Sequence, residues 1–293
     1  MRISYYIFFL FTRLFAVIPF WMLYLLSDMF YLLFYYLIPY RKKVIRTNIE
    51  QSFPHLSETG HKRIMKKFYH NLCDILLEGI KGFTITKKNL QKRYIFVNPD
   101  LMNNLYEKGQ DVVSVGAHYA NWEWGIIAAP LKLKHKLYVF YTPLTNKHID
   151  TFMHKNRMKW GAELIASQEV KKALSKKQGK PLSYFFGADQ SPYNPKGAHW
   201  MKFLNQDTAC LKGPEFFARR NRLVVVYFDV QRVKRGYYKV KLKMLEDNPT
   251  NTSTGEITEK YMCTLEQRII EKPENYLWSH RRWKHSREKI HQN

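Results

Sequence analysis

The run Val112-Val-Ser-Val-Gly-Ala-His-Tyr-Ala-Asn-Trp-Glu-Trp124 constrains the fold more than any other stretch of the chain. Four residues read as a buried strand, Gly116 ends it, and His118 and Glu123 follow, five positions apart. Open α/β sheets keep their chemistry at the carboxyl ends of strands, where a base and the group that orients it can be delivered together. On one continuous helix, positions five apart point about 140° from each other, so the pair meets only if the chain changes structure between them. That happens if His118 sits on a loop, Asn121 caps a helix, and Glu123 lies in its first turn. Glu123 is then expected to accept a proton from one ring nitrogen of His118, leaving the other as a base. The His-Glu-x-x-His pattern of zinc proteases is absent, so this segment does not read as a metal site.

Strands and helices alternate around this run. Tyr94–Val97, Val112–Val115, Lys136–Tyr141 and Leu182–Phe186 read as strands, as do Leu223–Val230 and Tyr237–Leu245. Trp122–Leu131, Lys147–Lys159, Gly213–Arg220 and Glu256–Glu271 read as helices. Glu58–Lys81 carries Ile64, Met65, Phe68, Leu72, Ile75 and Leu76 on one helical face. The expectation is an α/β fold with a mixed, largely parallel sheet flanked by helices.

The first forty residues differ from the rest. Ile3 to Tyr40 is almost wholly apolar and aromatic, broken by Arg13, Ser27 and Asp28, and the cluster Arg41, Lys42, Lys43, Arg46 follows. The stretch is too long for a cleaved signal peptide and lacks a small-x-small site. It reads as a membrane anchor (residues 1–40) ahead of a catalytic domain (41–293), either as one tilted span or as a helix lying in the interface. The basic cluster places the catalytic domain on the cytoplasmic side. Lys and Arg number 48 against 24 Asp and Glu, a net charge of +24, which calls for an anionic partner. With an apolar anchor and no nucleic-acid-binding motif, that partner reads as a membrane surface and not nucleic acid. A non-catalytic basic protein docked on membranes is the remaining alternative from another class. Cys73, Cys210 and Cys263 share no metal-ligand spacing and read as reduced thiols.

Four segments, in order, resemble the lipid A late (secondary) acyltransferases of the lysophospholipid acyltransferase superfamily. The first is the His118-x4-Glu123 motif. The second is the helix ending Lys155-Asn-Arg-Met-Lys-Trp-Gly161, in which Arg157 matches an arginine that precedes a short strand. The third is Phe185-Phe-Gly-Ala-Asp-Gln-Ser-Pro192, with Asp189 and Gln190, followed by the strand-like Lys196–Phe203. The fourth is Tyr276-Leu-Trp-Ser-His-Arg-Arg-Trp-Lys284 near the carboxyl terminus. One departure stands out: where relatives carry a Thr-rich turn, this chain reads Thr208-Ala-Cys-Leu-Lys-Gly213.

The resemblance implies a membrane-bound acyltransferase of glycerolipid-acyltransferase-like fold at the bacterial inner membrane. Its donor is an acyl thioester carried by acyl carrier protein, or less often CoA, and its acceptor a hydroxyl of a lipid A precursor. No metal or bound cofactor is implied. His118 and Glu123 are the expected catalytic dyad, acting without a covalent intermediate. Arg157 suits a lipid phosphate or the oxyanion. Asp189 and Gln190 are expected to brace the site loops or touch the acceptor, and Lys212, Arg281 and Arg282 to meet anionic groups. His280 as a further base is a weaker reading. A glycerolipid or aminolipid acceptor is the alternative within enzymes.

Overall fold

The computed structural model describes residues 10, 12–143, 145–166, 169 and 179–287; the first nine residues of the expected anchor lie outside these. Helices α1 (Phe20–Leu32), α2 (Lys42–Ser52), α3 (Glu58–Lys81) and α4 (Lys87–Arg93) precede the first strand, β1 (Tyr94–Phe96). Then come α5 (Asp100–Glu107), β2 (Val112–Gly116), α6 (Trp122–Ala128), β3 (Lys136–Tyr141), α7 (Lys147–Met158), β4 (Glu163–Ala166) and β5 (Leu182–Gly187). The chain continues through β6 (His199–Phe203), β7 (Gln206–Cys210), α8 (Gly213–Asn221), β8 (Val224–Lys234), β9 (Tyr237–Glu246) and α9 (Glu256–Glu271). Seven strands form one sheet in the order β1-β9-β8-β2-β5-β3-β4, parallel except for the β8–β9 hairpin, while β6 and β7 form a separate antiparallel pair. The expected α/β architecture with a largely parallel sheet is present.

β2 lies at the centre and is buried at every position, as its unbroken apolar run requires of a strand covered on both faces. Its register with β5 positions everything that follows: Val112 pairs with Ser183, and Gly116 with Gly187. Ser114 and Ser183, two polar residues inside these strands, are hydrogen-bonded across the pair at 2.8 Å and so satisfy each other.

Helix α1 runs on through a wide π-helical turn at Leu33–Leu37, and Phe20–Leu37 is long and apolar enough to cross a membrane. It does not stand clear of the domain. Leu23, Ser27 and Tyr35 are buried, Leu23 packing with Phe15 and Leu77. Trp21, Leu25, Met29, Leu32 and Tyr36 form an exposed apolar stripe at helical spacing on the other side.

Polar ties fix the helix on α3. Ser27 donates to buried Asp74 at 2.6 Å, and Tyr24 donates to buried Glu78 at 2.9 Å. Arg235, from the β8–β9 turn, joins Asp28 of α1 at 2.5 Å and Asp74 at 2.7 Å, while Arg232 also pairs with Asp74. Lys81 closes the other end, donating to the carbonyls of Phe15, Ala16 and Ile18 at 2.6–2.9 Å, just before Pro19 breaks the preceding helical segment. Asp28, which interrupts the apolar stretch in sequence, is thus a docking residue.

Asp74→Asn should lower stability by about 3 kcal/mol, because it takes from Arg232 its carboxylate partner beside a buried site. Glu50→Gln, which breaks the exposed Arg46–Glu50 pair, should change stability little. Denaturant unfolding of both variants in detergent measures the contrast, and equal losses would contradict it.

Candidate active site

His118 and Asp189 each lie two residues beyond a central strand, His118 after β2 and Asp189 after β5. Because Gly116 and Gly187 are partners in the sheet, the two side chains emerge next to one another. His118 Nδ1 lies 2.8 Å from Asp189 Oδ1. The carboxylate is almost fully buried, at 2% side-chain exposure, and the ring keeps 27%. With Asp189 accepting from Nδ1–H, Nε2 is left as a lone-pair base. Burial opposes a charged ring, but the Asp189 carboxylate, by charge and hydrogen bond, outweighs it, and Glu123 adds a smaller pull. The His118 pKa therefore stands above its ordinary value. Burial likewise opposes ionised Asp189, and the imidazole beside it reverses that, holding the carboxyl below its usual range.

This arrangement corrects the expected His118–Glu123 hydrogen bond. Asn121 does cap α6, its side chain accepting from Trp124 N–H at 2.9 Å, and Glu123 is in the first turn. From there the carboxylate turns to the end of α7, where Arg157 grips it with both prongs, Nε at 3.1 Å and Nη2 at 2.6 Å. A bidentate arginine fork is the stronger and more rigid partner. Arg157 is accordingly not an unengaged phosphate ligand but half of an ion pair beside the histidine. The sequence carried a signal for the true partner that motif spacing alone passed over. Val115-Gly-Ala-His118 and Phe186-Gly-Ala-Asp189 are the same strand ending, written twice on adjacent strands.

The loop between His118 and α6 is held under strain. Ala120 has φ of +53°, a left-handed conformation that costs a non-glycine residue roughly 1–3 kcal/mol. Its N–H is fixed by the Asn275 carbonyl at 2.9 Å, and Tyr119 bridges to Tyr276. On the other side, Asn121 donates to Glu78 at 2.6 Å. Burial pushes the Glu78 carboxyl above its usual range. Tyr238 also donates to it at 2.6 Å.

An apolar cleft runs between α6 and the sheet. It is lined by Ala117 and Trp122 near the histidine, and by Tyr94, Gly125, Leu137 and Phe228 among others. Trp122 packs edge-on against the His118 ring, with centroids 5.3 Å apart. The cleft is narrow, and the base stands beside its apolar lining. The profile of the bacterial lipid A biosynthesis acyltransferases matches residues 1–285.

The chain belongs to that family. It is similar to a lipid A biosynthesis acyltransferase of Haemophilus influenzae, with 24% identity over 80% of this chain and 72% of the relative. Two Escherichia coli proteins are also similar: a lipid A biosynthesis lauroyltransferase at 23% identity and a lipid A biosynthesis palmitoleoyltransferase at 22%. Each alignment covers 83% of this chain and 79% of the relative. The protein is therefore a lipid A acyltransferase acting on a lipid acceptor.

Within this acyltransferase the remaining expected site residues divide. Arg282 is 2% exposed and donates to the Ala209 carbonyl at 2.7 Å, with Cys210 Sγ at 3.5 Å. It ties the carboxyl-terminal segment to the β6–β7 hairpin, which corrects its reading as a ligand for anions; Arg281 beside it is exposed. Trp283 donates to Thr208 Oγ1 at 2.8 Å. Thr208 and Cys210 lie in β7, so the expected turn begins only after the strand. Lys212 caps α8 and borders a separate surface cavity with Arg219, Arg220 and Thr250, away from the histidine. Gln190 is half-buried on the loop just after Asp189. His280 has a buried, unpartnered Nδ1, and burial pushes its pKa down to about 4, so it is neutral at working pH.

Titrating the ring by NMR should place the His118 pKa above 6.5 in the parent protein. In Asp189→Asn the pull toward the charged form is lost and burial remains, so the midpoint should fall. Glu123→Gln should move it less. A midpoint unmoved in Asp189→Asn would contradict the geometry.

Proposed function

We propose that this lipid A acyltransferase moves a fatty acyl chain from a thioester donor to a hydroxyl of a lipid A precursor, with His118 as general base. The observation that carries this reading is the ring nitrogen of His118 bonded to buried Asp189, with Trp122, which packs on that ring, lining the adjoining apolar cleft. His118 Nε2 takes the proton of the acceptor hydroxyl as its oxygen attacks the thioester carbonyl. The tetrahedral intermediate collapses, the C–S bond breaks, and the proton passes from His118 to the leaving thiolate. Asp189 orients the ring and stabilises the imidazolium, as a buried carboxylate does for a catalytic histidine. Glu123 holds Arg157, whose guanidinium stabilises the developing oxyanion or an acceptor phosphate. No enzyme-bound acyl intermediate or metal takes part.

The donor is acyl carrier protein or CoA, and the net charge of +24 favours the strongly acidic carrier. The first forty residues attach the enzyme to the inner membrane, with residues 41–293 as the catalytic domain on its cytoplasmic face. The exposed stripe from Trp21 to Tyr36 enters the lipid, while the ties from Ser27 and Asp28 keep the helix against the domain. This geometry favours a helix seated at the interface over one spanning freely.

His118→Ala should lower transfer by roughly 10²–10⁴-fold without loss of fold. Asp189→Asn should lower it by up to about 10⁴-fold, through the wrong ring tautomer. In the parent, kcat/KM should rise with pH through a limb above 6.5, since the base works deprotonated and its pKa is raised. Mass spectrometry of the lipid product measures transfer, and His118→Ala within threefold of the parent would refute the mechanism.

A double variant Leu25→Lys and Met29→Lys should weaken partitioning into anionic vesicles by about tenfold or more, since it charges two stripe positions. Equal sedimentation with vesicles would refute the docking reading.

A further inference from the structure

Two choices that are each unfavourable meet inside the apolar cleft. Gly125 sits within α6, where glycine costs about 1 kcal/mol relative to alanine. Across from it, Tyr94 on β1 is 1% exposed, and its hydroxyl has no hydrogen-bond partner. A buried unpaired hydroxyl costs roughly 1–3 kcal/mol, and such exceptions in a folded protein call for an explanation. The two features explain each other. A Cβ on residue 125 would lie 2.8 Å from the Tyr94 hydroxyl, so glycine makes room for the phenol tip. The phenol in turn stands in the cleft as a wall. Tyr94 and Phe96, on β1 at the sheet edge, are part of the cleft's lining, whereas Ala117 and Trp122 border the histidine.

We infer that Tyr94, seated against Gly125, is the specificity-determining residue that limits how far the donor's acyl chain enters the cleft. The inference rests on the functional reading above and extends it by taking this cleft, beside His118, as the place that receives that chain. A polymethylene chain gains about 0.8 kcal/mol for each CH2 taken out of water, roughly a fourfold preference per methylene. That gain ends where the chain meets a fixed wall. Beyond it, each further methylene must displace a rigid ring whose edge packs near Tyr238 and Phe96, with centroids at 5.7 Å and 6.2 Å. The unpaired hydroxyl strengthens the stop, because a methylene pressed against it gives the oxygen no partner.

The test is a competition among saturated acyl thioesters of graded length, given together to the full-length enzyme with its lipid acceptor. The lengths in the product are read by mass spectrometry. Tyr94→Phe removes only the unsatisfied oxygen and should fold at least as well as the parent. It should shift the preferred length upward by one or two carbons, and Tyr94→Leu should shift it further. Gly125→Ala removes a helix-interior glycine, so it too should fold, yet it crowds the phenol and should shift the preference to shorter chains. Each shift should appear as about a fourfold change in the ratio of neighbouring lengths for every methylene. Unchanged length profiles in all three, with total transfer retained, would overturn the role of Tyr94. A change of profile in Leu137→Phe, elsewhere in the cleft lining, without any in the Tyr94 and Gly125 variants, would also overturn it. Loss of length preference is distinct from failure of the functional reading, which would show as His118→Ala retaining full transfer.

Discussion

Two buried carboxylates on successive turns of α3 hold the molecule together. Asp74 takes Ser27 from the amino-terminal helix and Arg232 and Arg235 from the β8–β9 hairpin. Glu78 takes Tyr24 from the same helix, Tyr238 from β9 and Asn121 from the loop beside His118. A buried charge is tolerated only when surrounding donors replace its water. These two are surrounded by donors from every layer that has to be aligned. The amino-terminal helix, the edge of the sheet and the cap of α6 therefore share one reference point. An apolar contact in those places would allow sliding; a fully bonded carboxylate does not.

The candidate active site depends on that frame and on the register of two strands. Gly116 and Gly187 are level in the sheet, so the residues two steps beyond them face each other without help from any loop conformation. The loop that follows His118 is a different matter, because Ala120 is strained. It is held from one side by Asn121 on Glu78 and from the other by the Asn275 carbonyl. The segment from Tyr276 to Trp283 is fixed in its turn by Asn48, which donates to the carbonyls of Trp278 and His280, and by Arg282 on β7. The His-Arg-Arg box, with its look of a basic ligand-binding tail, serves largely as a brace behind the loop that follows His118.

Much of this was legible in the chain. Glu58–Lys81, Lys136–Tyr141 and Glu256–Glu271 form as their periodicity predicts, with the same bounds. The central strand, the loop position of His118 and the cap at Asn121 follow from a local apolar run, a terminating glycine and a good capping residue. β4 and the β6–β7 hairpin were harder to read, since they are short and carry mixed polarity. The left-handed turn at Ala120 has no sequence signature, because alanine does not favour that conformation and only the surrounding bonds impose it.

By itself the sequence determined the α/β class, the apolar helix at the start and the family. Those properties follow from neighbours within a few residues, where periodicity, caps and motif order operate. Only the tertiary structure decided which charged groups meet. His118 and Asp189 are 71 residues apart, Glu123 and Arg157 are 34 apart, and Asp28 and Arg235 are 207 apart. Glu123 was near His118 in sequence, but α6 turned it toward Arg157, and the β2–β5 register put Asp189 where the sequence motif suggested Glu123. The physical reason is that a charge pairs with whatever the fold brings within about 3 Å. That distance is set by strand register and helix packing, which no local pattern records.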